Sequence, residues 1–365
     1  MNILYPISHL LTPGPTPMPE AVRQATGQPM VHHRSDAFCD LLRDVTAELK
    51  TVFQTEHDVL ILTGSSTGAM EAAVVNTLSP GDRVLAASAG RFGERWADIA
   101  QAFGTDVTRL RFPDGQAADP AAIQEALSEG RPFQALLITH NETSTGVTND
   151  LAAVGAVVGA MPAERRPLLL VDAVSSLGAL ELRTDDWGCD VVVSGSQKAL
   201  MSPPGVSVVA VSPRAWAAAG RARLPRFYWD FRAARQRAED GATPFTPAVS
   251  VLYALHAALD LIVAEGLPNV FARHRRLGQR TRQGIKRLGL ALFADEAVAS
   301  DTVTAVRVPP GVDAAALLAR LHDEFGVALA GGQGPLKGHI LRIGHMGCIS
   351  EADVNVVLAA LAQVL

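Results

Sequence analysis

The stretch SGSQKAL, residues 194–200, follows the apolar run Val191-Val192-Val193 and puts Lys198 where a charge is least welcome. The chain otherwise avoids lysine. Of 32 lysines and arginines only four are lysine, and the other three (Lys50, Lys286 and Lys337) stand among polar neighbours. Burying an unpaired ammonium is costly, so a reason specific to lysine is needed. An amine sheds its proton and forms an imine with a carbonyl, whereas a guanidinium in effect never deprotonates.

Outward from this lysine, apolar β-branched runs alternate with helical patterns. Strands are expected at residues 59–62, 83–87, 135–139, 168–172, 191–194 and 206–211, and helices at 68–78, 92–103, 120–129 and 151–161. This alternation predicts an α/β fold: a large domain with a mostly parallel sheet covered by helices. Two long helical patterns at 248–265 and 267–288 precede a strand–helix–strand–helix run over 303–365, which reads as a small C-terminal α/β domain. In parallel sheets ligands bind at the carboxyl ends of the strands. The chemically interesting stretches all fall there: TGSSTG (63–68), HNETSTG (140–146), Asp172 and SGSQK (194–198).

Composition narrows the function classes. The 365 residues are 48% hydrophobic, so a sizeable core is available and disorder is not expected. A net charge of −5 gives no general attraction to nucleic acid or to an anionic membrane. Cys39, Cys189 and Cys348 are far apart and lack CxxC spacing, which predicts a reducing compartment and no zinc or other metal site. The opening MNILYPISHLL lacks the basic residue and cleavage site of a signal peptide, and no uncharged apolar run approaches the ~20 residues of a membrane span. A cytoplasmic protein is the expectation. The Arg-rich segment 221–241, with Phe227, Tyr228, Trp229 and Phe231, mixes basic and aromatic residues as nucleic-acid binders do. Glu239, Asp240 and the acidic overall balance favour instead an excursion over another subunit or over the active-site mouth.

In TGSSTG a strand ends, a tight loop follows and a helix begins, which makes an anion site from free backbone N–H groups and the hydroxyls of Ser65, Ser66 and Thr67. A plain helix N-cap explains the same residues. A dinucleotide-binding turn does not, because GxGxxG and the acid at the end of the next strand are both missing. Asp172 alone reads as a capping aspartate. With Lys198 ending a neighbouring strand 26 residues later, the set becomes a phosphate loop, a carboxylate and an amine on one sheet edge. Those are the parts that hold pyridoxal 5′-phosphate: Schiff-base lysine, pyridinium partner and phosphate cradle.

SGSQKAL with Pro203-Pro204-Gly205 behind it, HNETSTG, VDAVSSLG and TGSSTGAMEAA, in this order and spacing, resemble the class V aminotransferases of the fold type I pyridoxal-phosphate enzymes, in particular the alanine/serine–glyoxylate aminotransferase group. The resemblance runs from TPGPTPMP near the start to LRIGHMG near the end. It implies that Lys198 carries the Schiff base, Asp172 faces the pyridinium nitrogen and Val174 lies against the ring. Ser65, Ser66, Thr67 and Gln197 match phosphate contacts, and Thr143 a hydroxyl near the ring oxygen. Phe92 matches an aromatic stacked on the ring, although a core phenylalanine is an equal reading. Thr246 matches a threonine that reaches the phosphate of the other subunit of a homodimer; Thr243 stands where some relatives have tyrosine. Arg342 matches the arginine for the substrate carboxylate, with the backbone at Gly14 closing over it. His32, His33 and Arg34 are further candidates for the mouth. The implied division is a segment 1–20 covering the active site, a large domain 21–247 and a small domain 248–365.

The implied reaction takes an amino group from a small amino acid, serine or alanine, to glyoxylate or another small 2-oxo acid. No second cation can be placed from sequence to hold a side-chain carboxylate. A 2-aminoethylphosphonate aminotransferase, with an arginine from 221–237 or Arg34 on the phosphonate, is the alternative. A cysteine desulfurase or related lyase needs a mobile cysteine shortly before the carboxylate arginine, and residues 326–341 contain none. A silent accessory subunit would have no need of Lys198 and Asp172.

Overall fold

The computed structural model describes residues 9–365. The first eight residues of the expected covering segment lie outside the described residues. The centre is a seven-stranded sheet of β1 (Asp58–Thr63), β2 (Arg83–Ser88), β3 (Asp106–Arg111), β4 (Ala135–Thr139), β5 (Leu168–Asp172), β6 (Val191–Gly195) and β7 (Val206–Val211). Their order across the sheet is β1-β7-β6-β5-β4-β2-β3. The strands β3, β2, β4, β5 and β6 pair in parallel, and β7 runs antiparallel to both β6 and β1. Strands β4 to β7 are buried along their whole length, which is why they read as unbroken Val, Leu and Ile runs. The edge strand β3 (DVTRLR) has only exposed and half-buried positions and was not among the expected strands.

Four helices position the site or its support: α1 (Glu20–Thr26), α2 (Asp36–Phe53), α3 (Ser66–Thr77) and α4 (Arg91–Ala102). Helix α2 buries Phe38, Leu42, Val45, Leu49 and Val52, a stripe with the 3.6-residue period, and Ser35 caps it by accepting the Phe38 N–H. Helix α3 buries nine of its twelve residues, because the sheet lies on one flank and the 221–241 segment on the other.

The helix Val249–Glu265 corrects the expected domain division. Its Leu252, Leu255, Leu259 and Ile262 lie in the same apolar core as α2 and the central sheet, so it packs with the large unit although it follows residue 247. The chain turns through 90° at Gly266 (φ 80°) before the helix Leu267–Arg287. Beyond that point a second core forms around the antiparallel strands Val303–Arg307, Ile340–Gly344 and Ala330–Gly331 and the helices Ala314–Phe325 and Glu351–Val364. The helical period at 248–265 is the same whichever core receives it, so sequence could not assign it. Among the described residues no single helix is long and apolar enough to cross a membrane.

The N-terminal segment is tied to both units. His9 and Leu10 pair with Val327 and Ala328, and the Leu11 carbonyl accepts the Gly344 N–H. Thr16 donates its N–H to the Gln197 carbonyl and its hydroxyl to the Lys198 carbonyl, at 2.8 Å for the latter.

Candidate active site

Register aligns the strand ends. Thr139 of β4 pairs with Asp172 of β5, and Asp172 pairs with Val193 of β6, so the loops after these strands open on one edge. A pocket there is lined by Ser65, Ser66, Thr67, Phe92, Thr143, Asp172, Val174, Gln197 and Lys198. Nine of the twelve residues singled out from sequence therefore share one wall. The structure adds Met70, Arg95, Asn141 and Ser175 to it.

The remaining three stand apart. Gly14 lies directly on Lys198 with φ +100°, and a Cβ there would sit 2.7 Å from Nζ. Only glycine combines that conformation with that approach. The Lys198 ammonium donates to the carbonyl of the preceding residue, Pro13. Arg342 is buried behind the pocket wall, donating from Nε to the Gly331 carbonyl (2.9 Å) and from Nη1 to the Thr143 carbonyl (3.3 Å). Thr246 is exposed and lies in a separate apolar recess with Met30, Val31, His32 and His33, away from the Lys198 pocket of its own chain.

The electrostatics suit an amine that must react. Burial lowers the Lys198 ammonium from its usual range to about 8, opposed by the Asp172 charge and assisted by Arg342 and Arg95. Burial pushes the Asp172 carboxyl up to about 6, opposed by the N–H of Val174 (2.9 Å) and the hydroxyl of Thr139, and assisted by the charge of Glu142. Glu142, inside HNETSTG, received no role from sequence. Its side chain is fully buried, and burial raises its carboxyl. It accepts the N–H groups of Phe92 (2.9 Å) and Gly93 (3.1 Å) at the start of α4, and the N–H and hydroxyl of Ser144 (3.0 and 2.6 Å). A distant strand thus caps the helix that brings Phe92 and Arg95 to the pocket. Only the tertiary fold reveals it, since capping residues are sought next to the helix in sequence.

The residues fit pyridoxal phosphate on grounds internal to the structure. Ser65, the N-cap of α3, makes no capping bond, which leaves its hydroxyl and the first turn of α3 free for an anion. Gln197 reaches Ser66 Oγ (3.3 Å), and its own Oε1 is buried without a partner. Gly195 leaves no room for a Cβ against Ser66, so the lysine loop and the α3 loop touch. Trp229 packs on Gly64 and Gly68, and its carbonyl accepts from Asn76 (2.6 Å). The 221–241 segment therefore braces the outside of the anion loop, while Phe227 (81% exposed) and Tyr228 (45%) face outward.

Comparison with known proteins agrees with this geometry. The family model for aminotransferase class-V matches residues 10–348. A protein of a Synechococcus strain named as a soluble hydrogenase small subunit is 46% identical, over 98% of this chain and 92% of its own. The L-aspartate–glyoxylate aminotransferase of Paracoccus denitrificans is 40% identical over 94% and 87% of the two chains. The serine–glyoxylate aminotransferase of Methylorubrum extorquens is 40% identical over 95% and 88%. The crystal structure of an alanine–glyoxylate aminotransferase from Nostoc superposes with a TM-score of 0.94 at 34% identity, covering 100% of this chain and 96% of that one.

The Lys198 charge carries a test independent of activity. Its folded value lies below its unfolded one, so the buried ammonium costs stability below pH 8. As pH rises, the folded state gives up its proton first and that cost disappears by about 10.5. In the cofactor-free protein, Lys198→Met should be more stable than wild type at pH 7, and denaturant unfolding should show the gap narrow by ~3 kcal/mol between about pH 8 and 10.5. A gap that does not change with pH would contradict the burial of this charge.

A lysine amine and a carboxylate on adjacent strand ends, an uncapped helix beside them and relatives matched over nearly the whole chain lead to one assignment: the chain belongs to the class-V aminotransferase family, whose cofactor is pyridoxal 5′-phosphate.

Proposed function

We propose that the protein transfers an amino group from a small amino acid, serine or alanine, to glyoxylate or a similar small 2-oxo acid, with Lys198 holding the cofactor and moving the proton. The observation that carries this reading is the buried Lys198 amine, brought to about 8 and covered by Gly14. The cofactor, when bound, supplies an electrophilic carbon and an electron-accepting ring. At neutral pH an amine with that value is partly unprotonated, so Nζ takes the proton from the donor Cα and hands it on without a large penalty. Asp172 places a carboxylate for the ring nitrogen, and a positive ring nitrogen would draw it back to the ionised form. Ser65, Ser66, Thr67 and Gln197 hold the phosphate at the α3 N-terminus. Phe92 and Val174 bracket the ring, and Thr143 serves the ring oxygen. Arg342 binds the α-carboxylate through its guanidinium fork. The donor loses its amino group and Cα hydrogen, takes the oxygen of one water and leaves as a 2-oxo acid; glyoxylate gains the amino group and hydrogen, gives up its aldehyde oxygen as water and leaves as glycine, so no outside oxidant is needed.

The substrate class draws on the serine– and alanine–glyoxylate names among the relatives and on the single arginine for an α-carboxylate. The relative named as a hydrogenase subunit does not redirect it. Among the described residues Cys39, Cys189 and Cys348 are free, and no cysteine belongs to a cluster with metal-ligand spacing. The same scattered thiols support a reducing, cytoplasmic setting. The proposal includes a homodimer in which Thr246 reaches the phosphate site of the other subunit. Its support is that Thr246 lies off its own pocket, and that the exposed Phe227 and Tyr228 gather on the half-buried Phe245 beside it, Tyr228 and Phe245 stacking at 5.1 Å.

The cofactor absorbance reports both half-reactions. Serine or alanine should shift it and glyoxylate should restore it; a protein whose bound cofactor responds to neither amino acid would overturn the reading. Arg342→Ala should lower kcat/KM by about 30- to several-thousand-fold, the worth of a charge-assisted pair closed from water (~2–5 kcal/mol), while cofactor still binds.

Thr246→Ala should weaken cofactor retention in dialysis without changing the assembly. A monomer at assay concentration with full activity would rule out the shared site.

A further inference from the structure

Away from the Lys198 pocket, Glu48 of α2 meets His256 and Asp260 of the helix Val249–Glu265. One donor atom from each, an imidazole nitrogen and two carboxylate oxygens, lies within 4.8 Å of the other two. His256 and Asp260 are four residues apart, so one helical turn brings both to the same side. Leu252, Leu255 and Leu259 share an apolar core with Val45, Leu49 and Val52 of α2, which fixes the two helices relative to each other. Oε2 of Glu48 is shut off from solvent and has no hydrogen-bond partner. Its Oε1 lies 3.9 Å from His256 Nε2, too far for a hydrogen bond. The basic residues of α2 nearest to it are engaged elsewhere: Arg43 pairs with Asp40 (2.8 Å), and Lys50 donates to the Glu56 carbonyl (3.2 Å). Among the described residues no lysine or arginine pairs with Glu48, Asp260 or Asp44, the acid one turn before Glu48. Burial raises the Glu48 carboxyl, and Asp260 and Asp44 raise it further, the response of an acid that lacks a cation.

We infer that Glu48, His256 and Asp260 bind a divalent transition-metal ion of the zinc class, which ties α2 to the helix Val249–Glu265. The donor set selects that class: an imidazole with carboxylates suits zinc and its neighbours, whereas magnesium and calcium take oxygen ligands alone. Tetrahedral bonds of ~2.0–2.2 Å put ligand atoms about 3.4 Å apart. The 3.9 Å pair and the widest pair, at most 4.8 Å, close to that spacing by side-chain rotation. Three protein ligands leave the fourth position to water. The scattered cysteines pointed away from zinc, and this donor set uses none of them. The helix Val249–Glu265 leads to the Gly266 turn, so the ion braces the large unit where the chain leaves it for the small one. The inference stands apart from the aminotransferase reading, since none of the three residues lines the Lys198 pocket.

The test uses the cofactor-loaded full chain, first stripped of adventitious metal with a chelator, and Zn2+ alone as the probe. Dialysis against Zn2+ followed by metal analysis should find an ion retained by the wild type. Zn2+ should also raise the wild-type unfolding temperature, because an ion that binds the folded state alone stabilises it. Glu48→Gln, Asp260→Asn and His256→Ala should each weaken Zn2+ binding by at least about 100-fold, since loss of even an outer partner of a metal ligand costs about 10- to 100-fold. The same variants should lose the thermal response to Zn2+. Glutamine and asparagine keep the size of the side chains they replace, so two variants remain informative if His256→Ala does not fold. Mg2+ in large excess should not displace the ion. The inference is overturned if the wild type retains no Zn2+, if the bound ion survives all three substitutions, or if Mg2+ displaces it readily. Normal amino-group transfer by a protein that retains no Zn2+ would sink this inference and leave the function proposed above intact.

Discussion

The burial of one ammonium group is the constraint on which this structure turns. Lys198 lies in the loop after the inner strand β6, under Gly14, and donates to the Pro13 carbonyl. Left charged in such a place it is a liability, and burial accordingly brings it to about 8. The surroundings keep it there. The segment before α1 crosses from the small sheet, where Leu11 meets Gly344, to the lysine loop, where Thr16 bonds Gln197 and Lys198. The amine is thus fixed by contacts from both units at once, and the cost of its burial is tolerable because an amine, unlike a guanidinium, becomes a nucleophile when it sheds its proton.

A second buried charge organises the opposite wall. Glu142 gathers the first N–H groups of α4 and the Ser144 hydroxyl, and Ser144 Oγ in turn accepts the N–H of Arg91 at 2.9 Å. The carbonyl of the next residue in its loop, Thr143, receives Arg342. One short loop therefore sets the aromatic face, the arginine on α4 and the arginine from the small unit relative to one another. Gly90 belongs to the same arrangement, since a Cβ there would meet Ser144 Oγ and the Glu142 side chain. The hydroxyl and amide side chains of Ser175, Thr302 and Asn141 continue the link, with Asn141 Nδ2 donating to both others at 2.8 and 2.9 Å. Arg342 and the Thr143 loop are in this way joined by polar contacts that link the two units.

The legible part of the sequence was the part where local chemistry contradicts its surroundings. A lysine after three valines, an aspartate closing an apolar strand and hydroxyls before a helix each break a pattern, and all three fall on the sheet edge that the alternation predicts. What escaped reading depends on contacts between distant segments. Arg95 looks like one of many arginines until α4 turns it to the pocket and Glu94 to Arg109 and Arg111. Glu142 caps a helix 50 residues away. The edge strand β3 carries its charges toward solvent and lacks the apolar run that marked its neighbours. Arg342 and Thr246 were assigned through a family resemblance; the first is buried against the Thr143 loop, and the second gains a partner only if another copy supplies the pocket.

The most direct test of the account is chemical. Protein loaded with pyridoxal phosphate and reduced with borohydride should carry a single phosphopyridoxyl group on Lys198, recovered by mass spectrometry in the peptide spanning SGSQKAL, and Lys198→Arg should acquire none under the same treatment. A label on Lys50, Lys286 or Lys337, or a protein that binds the cofactor with no reducible bond, would contradict the central claim.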